Sequence, residues 1–266
     1  MNPRNQAGSD GDALHHDVLV AGEHLGRLRD VLAARQPDET ELVAVLRRAV
    51  PVTLLECLAG LPPWSGTPRV LGAIALNPRA PRALVMRLLP ALFWRDLAEI
   101  ARSLRLSVTV RLRAESLLAE RLPELRLGDR ITLGRLATPA VLRQLLLDGD
   151  PRVVRACLLN PRLRESDLVP ALQKDTAPVS LIREAAASFR WIESYAVRLA
   201  LALQARSPLG VALAQLTSLL PSDLVRISET PRLPPLVQAA ALRVVKAEKT
   251  PILERDRVDR LWKRSL

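Results

Sequence analysis

The sequence predicts an all-α fold of many short helices used repetitively, and three observations carry that reading. Apolar residues make up 48% of the 266 residues, yet aromatics are only 3% and glycines number 11. Strand-rich folds favour aromatic and β-branched residues between glycine-containing turns, whereas Leu, Ala, Arg and Glu are good helix formers. A proline device then recurs along the chain. Finally, one stretch of sequence matches another without a gap.

Taken in order, residues 1–12, "MNPRNQAGSDGD", are polar and expected to form a disordered tail. A helical cap is expected over 13–61, first through "DVLVAGEHLGRLRDVLAAR", then, after Gln36-Pro37-Asp38, through "ETELVAVLRRAVPVTLLECLAGL". "PPWSGTP", 62–68, is a loop because Pro and Gly both interrupt helices. The body, 68–250, holds the recurring device of a small or polar residue, a proline, then a Leu- or Val-rich run. It appears at Thr67-Pro68, Ala80-Pro81, Thr138-Pro139, Asp150-Pro151, Ala177-Pro178, Ser207-Pro208 and Thr250-Pro251. Thr, Ser or Asp can cap the free amides of a first turn, and proline at the first helical position loses no hydrogen bond. Residues 251–266 are expected to close the chain with an amphipathic helix. It would place Val258, Leu261 and Trp262 near one side, as a cap on the last repeat or a partner-docking helix.

Internal repetition is explicit. An offset of 127 residues lays 75–118 on 202–245, matching Leu76 with Leu203, Arg79 with Arg206, Pro81 with Pro208 and Asp96-Leu97 with Asp223-Leu224. The tetrapeptide Leu-Asn-Pro-Arg also occurs twice, at 76–79 and 159–162. Such self-similarity is the mark of a repeat architecture. Over 148–188, the elements Asp150-Pro151, Val154-Arg155 and Asn160-Pro161 resemble the leucine-rich repeat variant (LRV) family, a relative of the HEAT-like α-solenoids. The resemblance implies a right-handed α-solenoid of short antiparallel helices with an inner face used for binding. It implies no reaction, because such solenoids serve many purposes.

The catalytic inventory is thin. His15, His16 and His24 are the only histidines, so no Ser-His or Cys-His pair can be assembled in the body from residue 30 on. The spacings His-x3-His and Cys-x2-Cys are absent, and no metal site is expected. There is no glycine-rich phosphate loop, and no cofactor or catalytic residue is assigned. AlkD-like DNA glycosylases, basic and helical, need a Trp and an Asp about one turn apart. Here Trp94 with Asp96 and Trp191 with Glu193 are two apart, which on a helix turns them to different sides. Cys57 and Cys157 lie in Leu-rich surroundings and read as buried free thiols in a reducing cytoplasm.

Charge is the remaining clue. The net charge is +11, and 35 of the 39 basic residues are Arg. Such a surplus attracts an acidic protein face, nucleic acid or, less readily, a membrane surface. Arg79, Arg162 and Arg206 each follow an inter-helix turn, and Arg82, Arg152, Arg155 and Arg164 lie near them in sequence. Two roles are open for them. They form a basic binding ridge, or each bonds the carbonyls ending the preceding helix or a neighbouring Asp. The expected function is a non-catalytic scaffold for an acidic partner, protein first and nucleic acid second.

Overall fold

The computed structural model of the chain describes residues 3–249, and among these there are eighteen α-helices, three short 3-10 turns and no strand. The chain divides at Leu125/Arg126 into two compact units. The first unit contains α1 (Pro3–Ala21), α2 (Leu25–Arg35), α3 (Glu39–Leu46), α4 (Val52–Gly60), α5 (Pro68–Ala75), α6 (Arg82–Leu88), α7 (Trp94–Arg102) and α8 (Val108–Arg121). The second contains α9 (Leu127–Leu136), α10 (Pro139–Leu145), α11 (Pro151–Leu158), α12 (Glu165–Gln173), α13 (Val179–Ala187), α14 (Phe189–Ile192), α15 (Tyr195–Leu203), α16 (Leu209–Leu216), α17 (Pro221–Ser228) and α18 (Pro235–Lys249). None of the described helices is long and apolar enough to cross a membrane.

Helix α1 takes in most of the stretch expected to be a tail. Its packing on α3 supplies the reason: Gly11, Leu14 and Val18 are buried along it, and a Cβ on Gly11 would lie 4.0 Å from that of Ala44. The "PPWSGTP" loop carries a 3-10 turn at Trp64–Gly66. The C-terminal helix expected at 251–266, with Val258, Leu261 and Trp262, lies outside the described residues, as does the Thr250-Pro251 start.

All six other prolines of the device open helices, in two ways. Pro68, Pro139 and Pro151 sit at the first helical position. Pro81, Pro178 and Pro208 sit one place earlier, with extended ψ of 140°, 144° and 136°, and their carbonyls accept the first helical bonds from Val85, Ile182 and Ala212. Side-chain capping is rarer than expected at these starts, since only Asp150 caps, accepting from the Arg152 amide at 2.8 Å. The Thr67 hydroxyl bonds Pro63 O instead, and the Thr138 and Ser207 hydroxyls are buried without a partner.

Many of the helices pack on their next-but-one neighbour. In the second unit α9 packs on α11, α11 on α13, α13 on α15 and α15 on α17, while α10 packs on α12 and α16 on α18. Between them lie fully buried Val153, Val154, Leu168, Leu172, Leu181, Ile182, Val197 and Leu201. Each such aliphatic side chain contributes about 1.5–3 kcal/mol through removal from water.

The two sequence copies fold alike. Helices α6, α7 and α8 begin at 82, 94 and 108, and α16, α17 and α18 at 209, 221 and 235, the same offset throughout. Paired positions are buried in both: Leu89 and Leu216, Leu92 and Leu219, Leu97 and Leu224, Ile100 and Ile227, Val110 and Val237, Ala114 and Ala241.

A carboxamide clamp explains the repeated tetrapeptide. Asn77 Nδ2 donates to Leu46 O and Arg48 O, both at 2.7 Å, at the end of the upstream helix, and Asn77 Oδ1 accepts from the Arg79 amide at 2.9 Å. Asn160 repeats this with Gly134 O at 2.9 Å, Ala137 O at 3.3 Å and the Arg162 amide at 2.8 Å. Gln204 does so with Leu172 O at 2.5 Å, Lys174 O at 2.9 Å and the Arg206 amide at 3.0 Å. All three side chains are buried. An amide is the side chain that donates twice and accepts once in a single plane, which is what a helix end plus a turn needs.

Candidate interaction grooves

Asn77 follows α5 and Asn160 follows α11, and each of these two helices lines a groove. In the first unit α5 lays Arg69, Gly72, Ala73 and Leu76 along the floor of a groove of about 420 Å³. Helix α3 contributes Val43 and Arg47 to one wall and α7 contributes Asp96 and Glu99 to the other. In the second unit the matching helix α11 presents Arg152, Arg155, Ala156 and Leu159. Flanking them are Ile131 and Arg135 from α9, Glu184 and Ala187 from α13, and Phe189 and Arg190 from α14. Two depressions, of about 280 and 480 Å³, share Arg155 and Leu159 here.

The chemistry of the two grooves differs. In the first, Gly72 is required by close approach, since a Cβ there would meet the Asp96 carboxyl at 2.8 Å. Burial, reinforced by Glu99, pushes the Asp96 carboxyl above its ordinary range. Arg69 pairs with Glu39 at 3.0 Å. In the second, Arg155 and Glu184 form a two-pronged pair at 2.8 Å, which raises the Arg155 guanidinium further. Arg152 holds the Asp150 carboxyl down at about 2 through a side-chain and a backbone hydrogen bond. Two large apolar side chains stand in water on this groove, Leu159 at 67% and Phe189 at 80% exposure.

Comparison with protein-family models, curated proteins and solved structures finds no match for the chain.

All seven arginines of the expected ridge are exposed. Arg152 and Arg155 line the second groove together. Arg79 reaches Glu23 at 3.3 Å, and Arg82 lines a separate small cavity in the first unit. Arg162, Arg164 and Arg206 line neither groove. Among the described residues their side chains bond no helix-end carbonyl. Arg121 and Arg190 do bond turn carbonyls: Arg121 donates to Leu92 O at 2.5 Å and Pro90 O at 2.6 Å, and Arg190 to Leu163 O at 3.1 Å and Asn160 O at 3.4 Å.

The aromatic residues divide as well. Trp191 is buried, donates to Leu158 O at 3.0 Å and carries the Arg190 guanidinium 4.4 Å above its ring. Phe189, two residues earlier, is the exposed one. Leu159 escapes a periodicity reading because it is the residue just past α11, where the face it presents depends on the turn. Its counterpart Leu76, just past α5, lines the first groove in the same way.

Proposed function

We propose that the chain is a non-catalytic helical-repeat scaffold of the LRV and HEAT-like kind, a right-handed α-solenoid that binds an acidic protein in the cytoplasm. Next-but-one helix packing, three equivalent clamps and the 127-residue duplication support the repeat reading. Two buried free thiols suit a reducing compartment.

The observation that carries the binding reading is the pairing of exposed Leu159 and Phe189 with Arg135, Arg152, Arg155 and Arg190 on one face of the second unit. Apolar anchors ringed by arginine are the composition of a protein-binding hot spot. A nucleic-acid backbone fits less well, because carboxylates stand in both grooves: Asp96 and Glu99 in one, Glu184 in the other. The test compares partners captured from native lysate by the parent chain and by the double variant L159S/F189S. Both changed residues are exposed, so the melting temperature should stay within a few degrees, surface substitutions altering stability by about 0.5 kcal/mol or less. Loss of the captured protein with the fold intact is the expected result. Undiminished capture, or capture of duplex DNA that falls steeply with salt, would refute the reading.

A further inference from the structure

The duplication supplies an internal control for a different place in the first unit, the small cavity where the turn after α5 meets the turn between α7 and α8. Its volume is about 120 Å³, and among its lining residues are Asn77, Arg82, Ser103, Arg105 and Ser107. At about 30 Å³ per water molecule, this is room for about four waters, the bulk of one tetrahedral oxyanion. Among the described residues the Ser103 and Ser107 hydroxyls have no protein hydrogen-bond partner, and Arg82 and Arg105 have no carboxylate partner. Helix α8 starts on the same wall, and Ser107 does not cap its free amides.

In the second copy the corresponding positions carry different residues and contacts. Leu209 stands for Arg82, Pro234 for Ser107 and Thr230 for Ser103. The counterpart of Arg105, Arg232, pairs with Asp175 at 3.3 Å, and since the clamps match Arg48 with Lys174, the first-unit position equivalent to Asp175 is Ala49, which carries no charge. Gln238 ties that turn shut by donating to Thr230 O at 3.2 Å and Leu233 O at 2.8 Å. Its counterpart is Arg111, whose Nε is buried without a hydrogen-bond partner. The same three helices thus carry two different turns, one tied by its own side chains and one lined with hydroxyls and guanidiniums that face solvent.

We infer that the first-unit cavity is a phosphate-binding site. Arg82 and Arg105 would neutralise a dianion by charge-assisted hydrogen bonds, with the serine hydroxyls and the first amides of α8 as further donors. The cavity holds the phosphoryl group alone, so the anion is either free phosphate or the head of a phosphomonoester whose remainder stays in solvent.

The test titrates the full chain with inorganic phosphate and, separately, phenyl phosphate, by calorimetry at fixed ionic strength in a phosphate-free buffer. Saturable binding is expected, weakened about tenfold or more by R82Q and by R105Q, the loss expected for one charge-assisted hydrogen bond. R87Q on the same helix, outside the cavity, should leave it unchanged, and circular dichroism confirms that each variant folds. Binding of free phosphate alone supports the site and identifies the free anion. Equal binding of phenyl phosphate supports it and identifies an ester. Affinity weaker than about 10 mM for both probes, or binding indifferent to both R82Q and R105Q, overturns it.

Discussion

Asn160 shows how much stability a single buried amide controls. Replacing it with Ala leaves Gly134 O, Ala137 O and the Arg162 N–H without their partner in a buried turn. Each buried unsatisfied group costs about 1–3 kcal/mol, part of it recovered by water entry, so N160A should lower unfolding free energy by about 2–4 kcal/mol. R162A is the contrast: the amide that matters belongs to the backbone, the side chain is exposed, and the expected change is within about 0.5 kcal/mol. Urea unfolding of both variants decides it, and an N160A loss no larger than that of R162A would mean that the clamp contributes nothing to stability. In the sequence this Asn is legible as punctuation, since Asn-Pro stops a helix. Its partners are not, because they lie 23 and 26 residues upstream and nothing local marks them. The same distance hides the division of labour among the arginines, in which Arg121 and Arg190 hold carbonyls while Arg162 and Arg206 do not.

At the scale of the helix, α9 contains its own experiment. Gly128 and Gly134 are both helical, and glycine in a helix interior costs about 1 kcal/mol relative to alanine. Nothing lies within 4 Å of a Cβ built on Gly128, so G128A should stabilise by up to about 1 kcal/mol. A Cβ on Gly134 would meet Cys157 Sγ at 3.1 Å and both Ala156 Cβ and the Cys157 amide nitrogen at 3.3 Å. These atoms belong to the face of α11 on which α9 packs, and they have little freedom to withdraw. Overpacking of this kind costs about 1–3 kcal/mol, so G134A should destabilise despite the better helix former. Equal effects of the two substitutions on the urea midpoint would mean that helix propensity, not the α9–α11 approach, sets the value of Gly134. Helix starts were readable here because Pro-Ala-Val or Pro-Arg-Val says where a helix can begin. Gly134, by contrast, declares only that something is close, and Cys157 becomes its neighbour only once α11 has packed on α9. The four-residue α14 was not readable at all, since its two aromatics look alike in sequence yet one is buried and the other stands in water.

For the whole chain the governing quantity is the excess of 39 basic over 28 acidic residues. The ion pairs that offset it are mostly exposed on the arginine side, as in Arg152–Asp150, Arg155–Glu184 and Arg143–Asp167, and exposed pairs contribute about 0–1 kcal/mol each. Self-repulsion of the surplus acts between many residues at long range, and it is the part that salt removes most completely once the screening length falls to about 10 Å near 0.1 M. The close pairs, at 2.5–3 Å, lie well inside that length and lose less. Added sodium chloride should therefore raise the melting temperature of the parent chain between about 0.01 and 0.3 M, and a scanning measurement across that range checks it. A fall would mean that the pairs outweigh the repulsion and that the arginines are placed for stability. A rise means that the chain carries its surplus at a cost in stability, and the surplus then requires a use. The two places where unit-scale features concentrate it, the Leu159–Phe189 groove and the Arg82–Arg105 cavity, are where that use is to be sought. Both should lose affinity for their ligands over the same salt range in which the fold gains stability.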